Sequence, residues 1–422
     1  MRPFINMRKF LLFLIPGCVL IGSLVFAGKI GLQYGTKFFK RGKDSINRLH
    51  KEIFAVEDKV DQLAFKVLSN NKSIADLKNE IKMNLVAEMG SDGLIVYPKA
   101  NHVYQNRQGV ADIKFKVKPL DSKVVVTLFN HRNEAIQSAT LKGKFREDLI
   151  EHKFSDVSGG MYRLCIMNKR SLPICTRVGV GEVFILAGQS NVVSPANEHD
   201  KYFSQTGQVF VTDVGLEFSD DGKQILTSED RPTFYNISWL YAGDELVRKL
   251  KVPIGFVNVA AGNTNTMQWV PGSRLHKQLL KALKNNDARA VLWVQGESDI
   301  HEKFLFEKSY SNMKAMITEA KKVKDLDWII GISSSYGPHS SILSKEFVPV
   351  GMAQRKLIDD GLAVKGPNTN ILRMRSDYLE GHLNKGGGRR AEFGGQGLEV
   401  HGLLWSNMLS QYLKQGQTIS QM

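Results

Sequence analysis

Residues 181–195 read GEVFILAGQSNVVSP. Val183 to Ala187 is a short unbroken apolar run of the kind that forms a strand covered on both faces, and Gly188 after it lets the chain turn sharply. Ser190 is thereby delivered to the C-terminal end of a buried strand. A serine in that place is suited to act as a nucleophile, with the backbone N–H groups of the next element available to hold an oxyanion. The same residue also fits the N-cap of a helix, so the motif alone leaves both roles open.

Two further stretches repeat the pattern. VPIGFVNVAAGNTNTMQWVP (252–271) presents a strand that ends in Gly262-Asn263-Thr264, and ARAVLWVQGESD (288–299) one that ends in Gln295-Gly296-Glu297-Ser298-Asp299. Helical stretches, Ile237 to Leu250 and Leu275 to Leu283, alternate with the strands, which predicts an open parallel sheet with its site at the C-terminal edge of the strands.

The blocks GQSN (188–191), the Gly-bearing turn at 262–264 and WVQGESD (293–299) resemble, in order and spacing, those of SGNH-type hydrolases, in particular the sialate O-acetylesterase and carbohydrate acetylesterase branch. The resemblance covers about residues 181–412 and implies an α/β fold, a flavodoxin-like three-layer α/β/α hydrolase domain assigned here to 181–415. It implies a serine esterase that removes O-acetyl groups from carbohydrate. Ser190 would be the nucleophile, the N–H groups of Ser190 and Gly262 oxyanion donors, and Gln295 a third donor, with Glu297 and Asn263 binding substrate.

The C-terminal block departs from the family pattern of Asp-x-x-His followed five residues later by the Gly that opens the last helix. Counting back from Gly397 puts Glu392 where His is expected and Arg389 where Asp is expected. Arginine is permanently cationic, and a carboxylate is a poor substitute for imidazole near neutral pH. The nearest alternative is His382 as general base, oriented by Asp377 or by Glu380, at the expense of a longer loop before the helix. If His382 does not serve, the competing function is a catalytically silent SGNH-fold surface protein acting as a glycan-binding or structural scaffold. His401, on the last helix, is expected to be a packing or surface residue. Trp269, Trp293 and Trp405 lie beside motif turns, where core packing competes with stacking on a sugar. Arg389 and Arg390 in the Gly-rich segment are available to an anionic substituent.

Upstream, residues 92–178 show short alternating runs (GLIVYP, ADIKFKVKP, SKVVVTLFN, AIQSATLKGK, GMYRLCIM, ICTRVGV) separated by turn clusters such as Asn130-His131-Arg132-Asn133 and Ser158-Gly159-Gly160. This predicts an all-β immunoglobulin-like sandwich, serving as a spacer or a carbohydrate-binding module. Two of the three cysteines, Cys165 and Cys175, fall on runs joined by a turn, so a hairpin can bring them within bridging distance.

Before the β module, a register with spacings of three and four runs Ile46, Leu49, Ile53, Val56, Val60, Leu63, Val67, Asn70, Ile74, Leu77, Ile81, Asn84, apolar at every position but the two asparagines. The register predicts an N-terminal parallel coiled-coil stalk over 46–88, a homo-oligomer (dimer or trimer) with register fixed by Asn70 and Asn84. Such a rod spans about 60 Å. Residues 29–45 form a basic linker, and residues 1–28 carry the uncharged apolar run Phe10 to Ala27 behind Arg2, Arg8 and Lys9. That run is read as a signal anchor, or as a signal peptide cleaved after Ala27. Either places the hydrolase domain outside the cytoplasm, membrane-anchored or secreted.

The charge agrees with this layout. The chain of 422 residues has 57 Lys+Arg against 42 Asp+Glu, a net of +15, but residues 1–50 alone hold nine of those basic residues against Asp44. No basic stripe interleaved with aromatics remains for nucleic acid. Metal-ligand spacing and a phosphate loop are also missing from the sequence, so neither a metal nor a cofactor is expected.

Overall fold

The computed structural model describes residues 94–119, 122–143, 148–167, 173–193, 202–213, 236–333, 349–374, 378 and 393–420. The proposed membrane segment, the basic linker, the coiled coil, Asp377, Glu380, His382, Arg389, Arg390 and Glu392 lie outside these residues. Among the described residues no helix is long and apolar enough to cross a membrane.

The first elements are strands: β1 (Ile95–Tyr97), β2 (His102–Gln105), β3 (Val110–Val117), β4 (Lys123–Asn130), β5 (Ala135–Lys142), β6 (Ile150–Ser158), β7 (Gly160–Met167) and β8 (Ile174–Gly188). Alternation decides their faces. In β3, Ile113, Phe115 and Val117 are buried while Lys114 is exposed, and in β4 Val124, Val126 and Leu128 are buried while Lys123 is exposed. One sheet, β1-β3-β6, is antiparallel. The other runs β2-β8-β7-β4-β5, with β2 parallel to β8. The inward residues of both sheets form one core, including Ile113, Phe115, Val126, Leu128, Leu164 and Val178. Cys165 on β7 stands opposite Cys175 on β8, and their sulfurs are bonded at 2.05 Å.

β8 does not stop at the edge of this module. Its C-terminal half becomes the centre of a parallel sheet with β9 (Val209–Asp213), β10 (Ile254–Asn258), β11 (Ala290–Val294), β12 (Asp327–Ile332) and β13 (Val364–Asn368), in the order β9-β10-β8-β11-β12-β13. Helices cover both faces: α1 (Ser190–Val193), α2 (Ile237–Leu250), α3 (Arg274–Asn285), α4 (Glu297–His301), α5 (Phe306–Val323), α6 (Pro349–Asp359) and α7 (Gln396–Ser420). Val183, Ile185 and Ala187 of β8 pack with Leu279 of α3, Ile317 of α5 and Leu357 of α6 in one core. Phe184 and Leu186 pack with Trp239 of α2 and Trp405 of α7 in the other. The result is the three-layer α/β/α arrangement that the family resemblance implies.

The boundary between the two parts, expected at 178–181, falls inside β8. Gly179 and Gly181 lie on β8 where another segment crosses them. A Cβ on Gly181 would lie 1.8 Å from the Pro253 carbonyl oxygen. The junction is further locked by Glu182, whose two carboxylate oxygens accept from Arg289 Nε and Nη2, each at 2.9 Å, and one of them also from Gln105 Nε2 at 2.8 Å. Arg289 Nη2 donates in addition to the Asn106 carbonyl at 2.9 Å. Removing one member leaves a largely buried charge without its partner. Glu182→Ala is therefore expected to cost about 2–3 kcal/mol, read as a lower urea midpoint at unchanged slope. An unaltered midpoint would show that this cluster does not hold the junction.

Candidate active site

β8 lies between β10 and β11, and the chain leaves it over opposite faces of the sheet on either side: α2 precedes β10 on one face, while α3 precedes β11 on the other. Such a switch point opens a crevice at the strand ends. Gly188 closes β8 with φ +129°, and a Cβ there would sit 2.0 Å from the Val294 carbonyl oxygen of β11. Only glycine lets the two strand ends come that close. Ser190, two residues on, is 8% exposed. Among the described residues its hydroxyl has no hydrogen-bond partner, and its N–H, like that of Gly262, meets no backbone carbonyl.

Gly262 stands at the exposed apex of the turn after β10, and a Cβ built on it would lie 3.9 Å from Ser190 Cβ. Asn263 beside it is exposed in the left-handed region, φ +56°. The structure thus brings Ser190, Gly262 and Asn263 together at one mouth.

The GQSN and QGES motifs are hydrogen-bonded to one another beneath that mouth. Gln189 Oε1 accepts from Gln295 Nε2 at 3.0 Å, Ser298 N at 3.2 Å and Gly296 N at 3.4 Å. Asn191 Nδ2 donates to Glu297 Oε1 at 2.7 Å, which also accepts from Ser333 Oγ at 2.6 Å, at the end of β12. These bonds change two assignments. Gln295 was expected to donate to an oxyanion, but it is fully buried and its amide nitrogen already donates to Gln189 Oε1 and, at 2.5 Å, to the Thr264 carbonyl. Both hydrogens of that nitrogen are engaged, so Gln295 braces the turn instead. Glu297 was expected to bind substrate, but it is 1% exposed and ties α1 to the ends of β11 and β12.

Asn191 Oδ1 accepts from Phe393 N at 3.1 Å, and the Tyr378 carbonyl accepts from Gly394 N at 3.0 Å. The described chain on both sides of 379–392 is therefore tied together, at the residue that follows Ser190. His401 is buried on α7, where its Nε2 accepts from Trp405 Nε1 at 3.1 Å and Phe393 packs on its ring. With that lone pair engaged it is a packing residue. Trp269, Trp293 and Trp405 are likewise buried in the two cores and offer no face to a sugar.

Asn191 and Asp299 carry roles that sequence reasoning did not give them. The signal for each was its place inside a quoted motif: a polar residue between Ser190 and an apolar pair, and a second acid two positions after Glu297. Asp299 is fully buried, and burial pushes its carboxyl up to about 7, against two hydrogen bonds from Thr266 that pull it down. Among the described residues no three His, Cys, Asp or Glu side chains gather as metal ligands.

Residues 180–359 match the family model described as carbohydrate esterase, sialic acid-specific acetylesterase. No curated protein sequence matches the chain. Among solved structures the chain is similar to a carbohydrate acetylesterase from Xanthomonas citri at 16% identity and TM-score 0.46, covering 73% of this chain and 72% of that one. It is also similar to a protein from Arabidopsis thaliana at 20% identity and TM-score 0.36, covering 54% and 98%. A lipase/acylhydrolase from Enterococcus faecalis aligns at 11% identity and TM-score 0.32, covering 54% and 94%. With residues 180–359 matching a carbohydrate esterase, sialic acid-specific acetylesterase domain, the activity is that of a carboxylic ester hydrolase that removes O-acetyl groups from carbohydrate.

Proposed function

We propose that Ser190 is the nucleophile, His382 the general base, and Asp377 or Glu380 the acid that orients its imidazole. The observation that carries this is the unpartnered Ser190 hydroxyl at the switch point, next to the Gly262 turn. As Ser190 Oγ attacks the acetyl carbonyl carbon, His382 takes its proton. The carbonyl oxygen becomes an oxyanion held by the N–H groups of Ser190 and Gly262, and the sugar oxygen leaves with the proton returned by the imidazolium. Water, deprotonated by the same imidazole, then releases acetate and frees the serine. Support for His382 over a distant base comes from the flanks: Phe393, next to Glu392, is bonded through its N–H to Asn191, and Tyr378, next to Asp377, is bonded through its carbonyl to Gly394.

The preferred substrate in this proposal is an O-acetylated sialic acid, met outside the cytoplasm. Residues 1–28 anchor or export the chain, 46–88 join two or three copies as a coiled coil, and the β module is an immunoglobulin-like spacer between stalk and enzyme. Acetate release by the full chain from O-acetylated sialic acid and from acetylated neutral sugars, each at matched ester concentration, tests the preference. Faster release from the neutral sugars would overturn it.

A further inference from the structure

The turn that carries Gly262 is braced from below at each of its ends. At the upstream end, Ala261 N donates to the Gly188 carbonyl at 2.9 Å. In the middle, the Thr264 carbonyl accepts from Gln295 Nε2, and Thr264 Oγ donates to the Ala261 carbonyl at 2.8 Å while accepting from Trp269 Nε1 at 3.1 Å. At the downstream end, Thr266 gives both its N–H, at 2.8 Å, and its hydroxyl, at 3.2 Å, to Asp299 Oδ1. Gly262 and Asn263 themselves have no hydrogen bond of their own among the described residues. Where the Gly262 N–H stands relative to Ser190 is therefore set by these braces.

Asp299 is an expensive residue to use for the purpose. It is fully buried, its Oδ2 has no partner among the described residues, and Glu297 and Glu302 lie close enough to oppose its ionisation. An unpaired buried carboxyl oxygen works against stability, so its presence calls for a reason other than packing. The acceptor it offers is short and rigid, placed on the first turn of α4, which Gln189 holds in turn through Ser298 N and Gly296 N. Nucleophile and donor turn are thus referenced to one small body, the β11–α4 junction.

We propose that Asp299 is a positioning residue for the oxyanion-binding turn, acting through Thr266 to fix the Gly262 N–H over Ser190. The inference rests on the reading of Gly262 as an oxyanion donor. A donor of this kind acts on the tetrahedral state more than on the bound ester, so displacing it lowers kcat and leaves KM nearly unchanged.

The test uses the full chain, p-nitrophenyl acetate kinetics and inhibition by methylboronic acid, which forms a tetrahedral adduct on a serine. Asp299→Ala is expected to lower kcat about 100-fold, the scale of an ångström-sized displacement of a catalytic group, with KM within about threefold and boronate affinity falling alongside kcat. Asp299→Asn, which keeps an oxygen acceptor for Thr266, is expected to recover at least about tenfold of that loss. Thr266→Val removes only the hydroxyl bond and leaves the backbone N–H, so it is expected to fold even where Asp299→Ala does not, and to lower kcat several-fold at unchanged KM. A folded Asp299→Ala with kcat within threefold of the parent would overturn the inference, as would a Thr266→Val variant whose kcat equals the parent's. Ser190→Ala run alongside separates the two failures: an active Ser190→Ala sinks the reading of the site, whereas an inactive one with an unimpaired Asp299→Ala sinks only the role given to Asp299.

Discussion

Ser190→Ala is expected to reduce acetate release from any O-acetylated sugar by at least about four orders of magnitude, with the fold unchanged. The expectation follows from the position of the hydroxyl rather than from the motif alone. A buried serine that served as an N-cap would accept from a backbone N–H, and one that served as a core hydrogen bonder would bond to a neighbour, so its loss would lower stability. Ser190 makes no such bond among the described residues, so its removal takes away the attacking atom and little else. Melting temperature and turnover measured on the same preparation check both halves of the statement. A variant that retains a tenth of the parental rate would mean that the acetyl group is attacked by something other than Ser190, such as water activated elsewhere in the crevice.

The second large effect is expected from the general base. His382→Ala should lower kcat by about 10⁴-fold or more, because without an imidazole the hydroxyl stays protonated at neutral pH and the leaving sugar oxygen receives no proton. Glu392→Gln should leave kcat within about threefold, since Glu392 has no proton-transfer role in this scheme. The two variants form a discriminating pair: Glu392 occupies the position counted for histidine in the family pattern, and it adjoins Phe393, whose N–H is bonded to Asn191. If Glu392→Gln were the inactive variant and His382→Ala the active one, the base assignment would be reversed. If neither changed the rate, neither residue would be the base.

The α/β half was legible because its strands are covered on both faces. Apolar runs such as Val183 to Ala187 and Ala290 to Val294 admit few other interpretations, and helices Ile237–Leu250 and Arg274–Asn285 carry clear helical periods. β2 and β6 were harder. β2 is four residues long, and most of β6 is exposed, with Glu151, His152 and Lys153 in a row, so neither shows a clean period of two. β9 was missed for a similar reason: five residues at the sheet edge, beyond β10.

Within the site, sequence could name the strand ends that carry polar residues but not the direction of each side chain. Gln295 and Glu297 are two positions apart in one motif, and both were assigned to the substrate side. Their partners, Thr264, Gln189, Asn191 and Ser333, come from other strand ends and turns, so only the packed sheet reveals that both point inward. The same holds for Gly179 and Gly181, which make room for Pro253.

The unbroken course of β8 makes the two halves of the molecule share one phase. A strand turns its side chains over at every residue, so a single residue inserted between Val178 and Glu182 would invert everything after it relative to everything before. To keep the disulfide and outer core in place, Phe184 and Leu186 would have to face α3 and α5, and Ser190 would leave the crevice mouth. The outer module is therefore not a bead that can be exchanged along a string. It is the ruler against which Ser190 is set, and the length of that ruler is fixed to the residue.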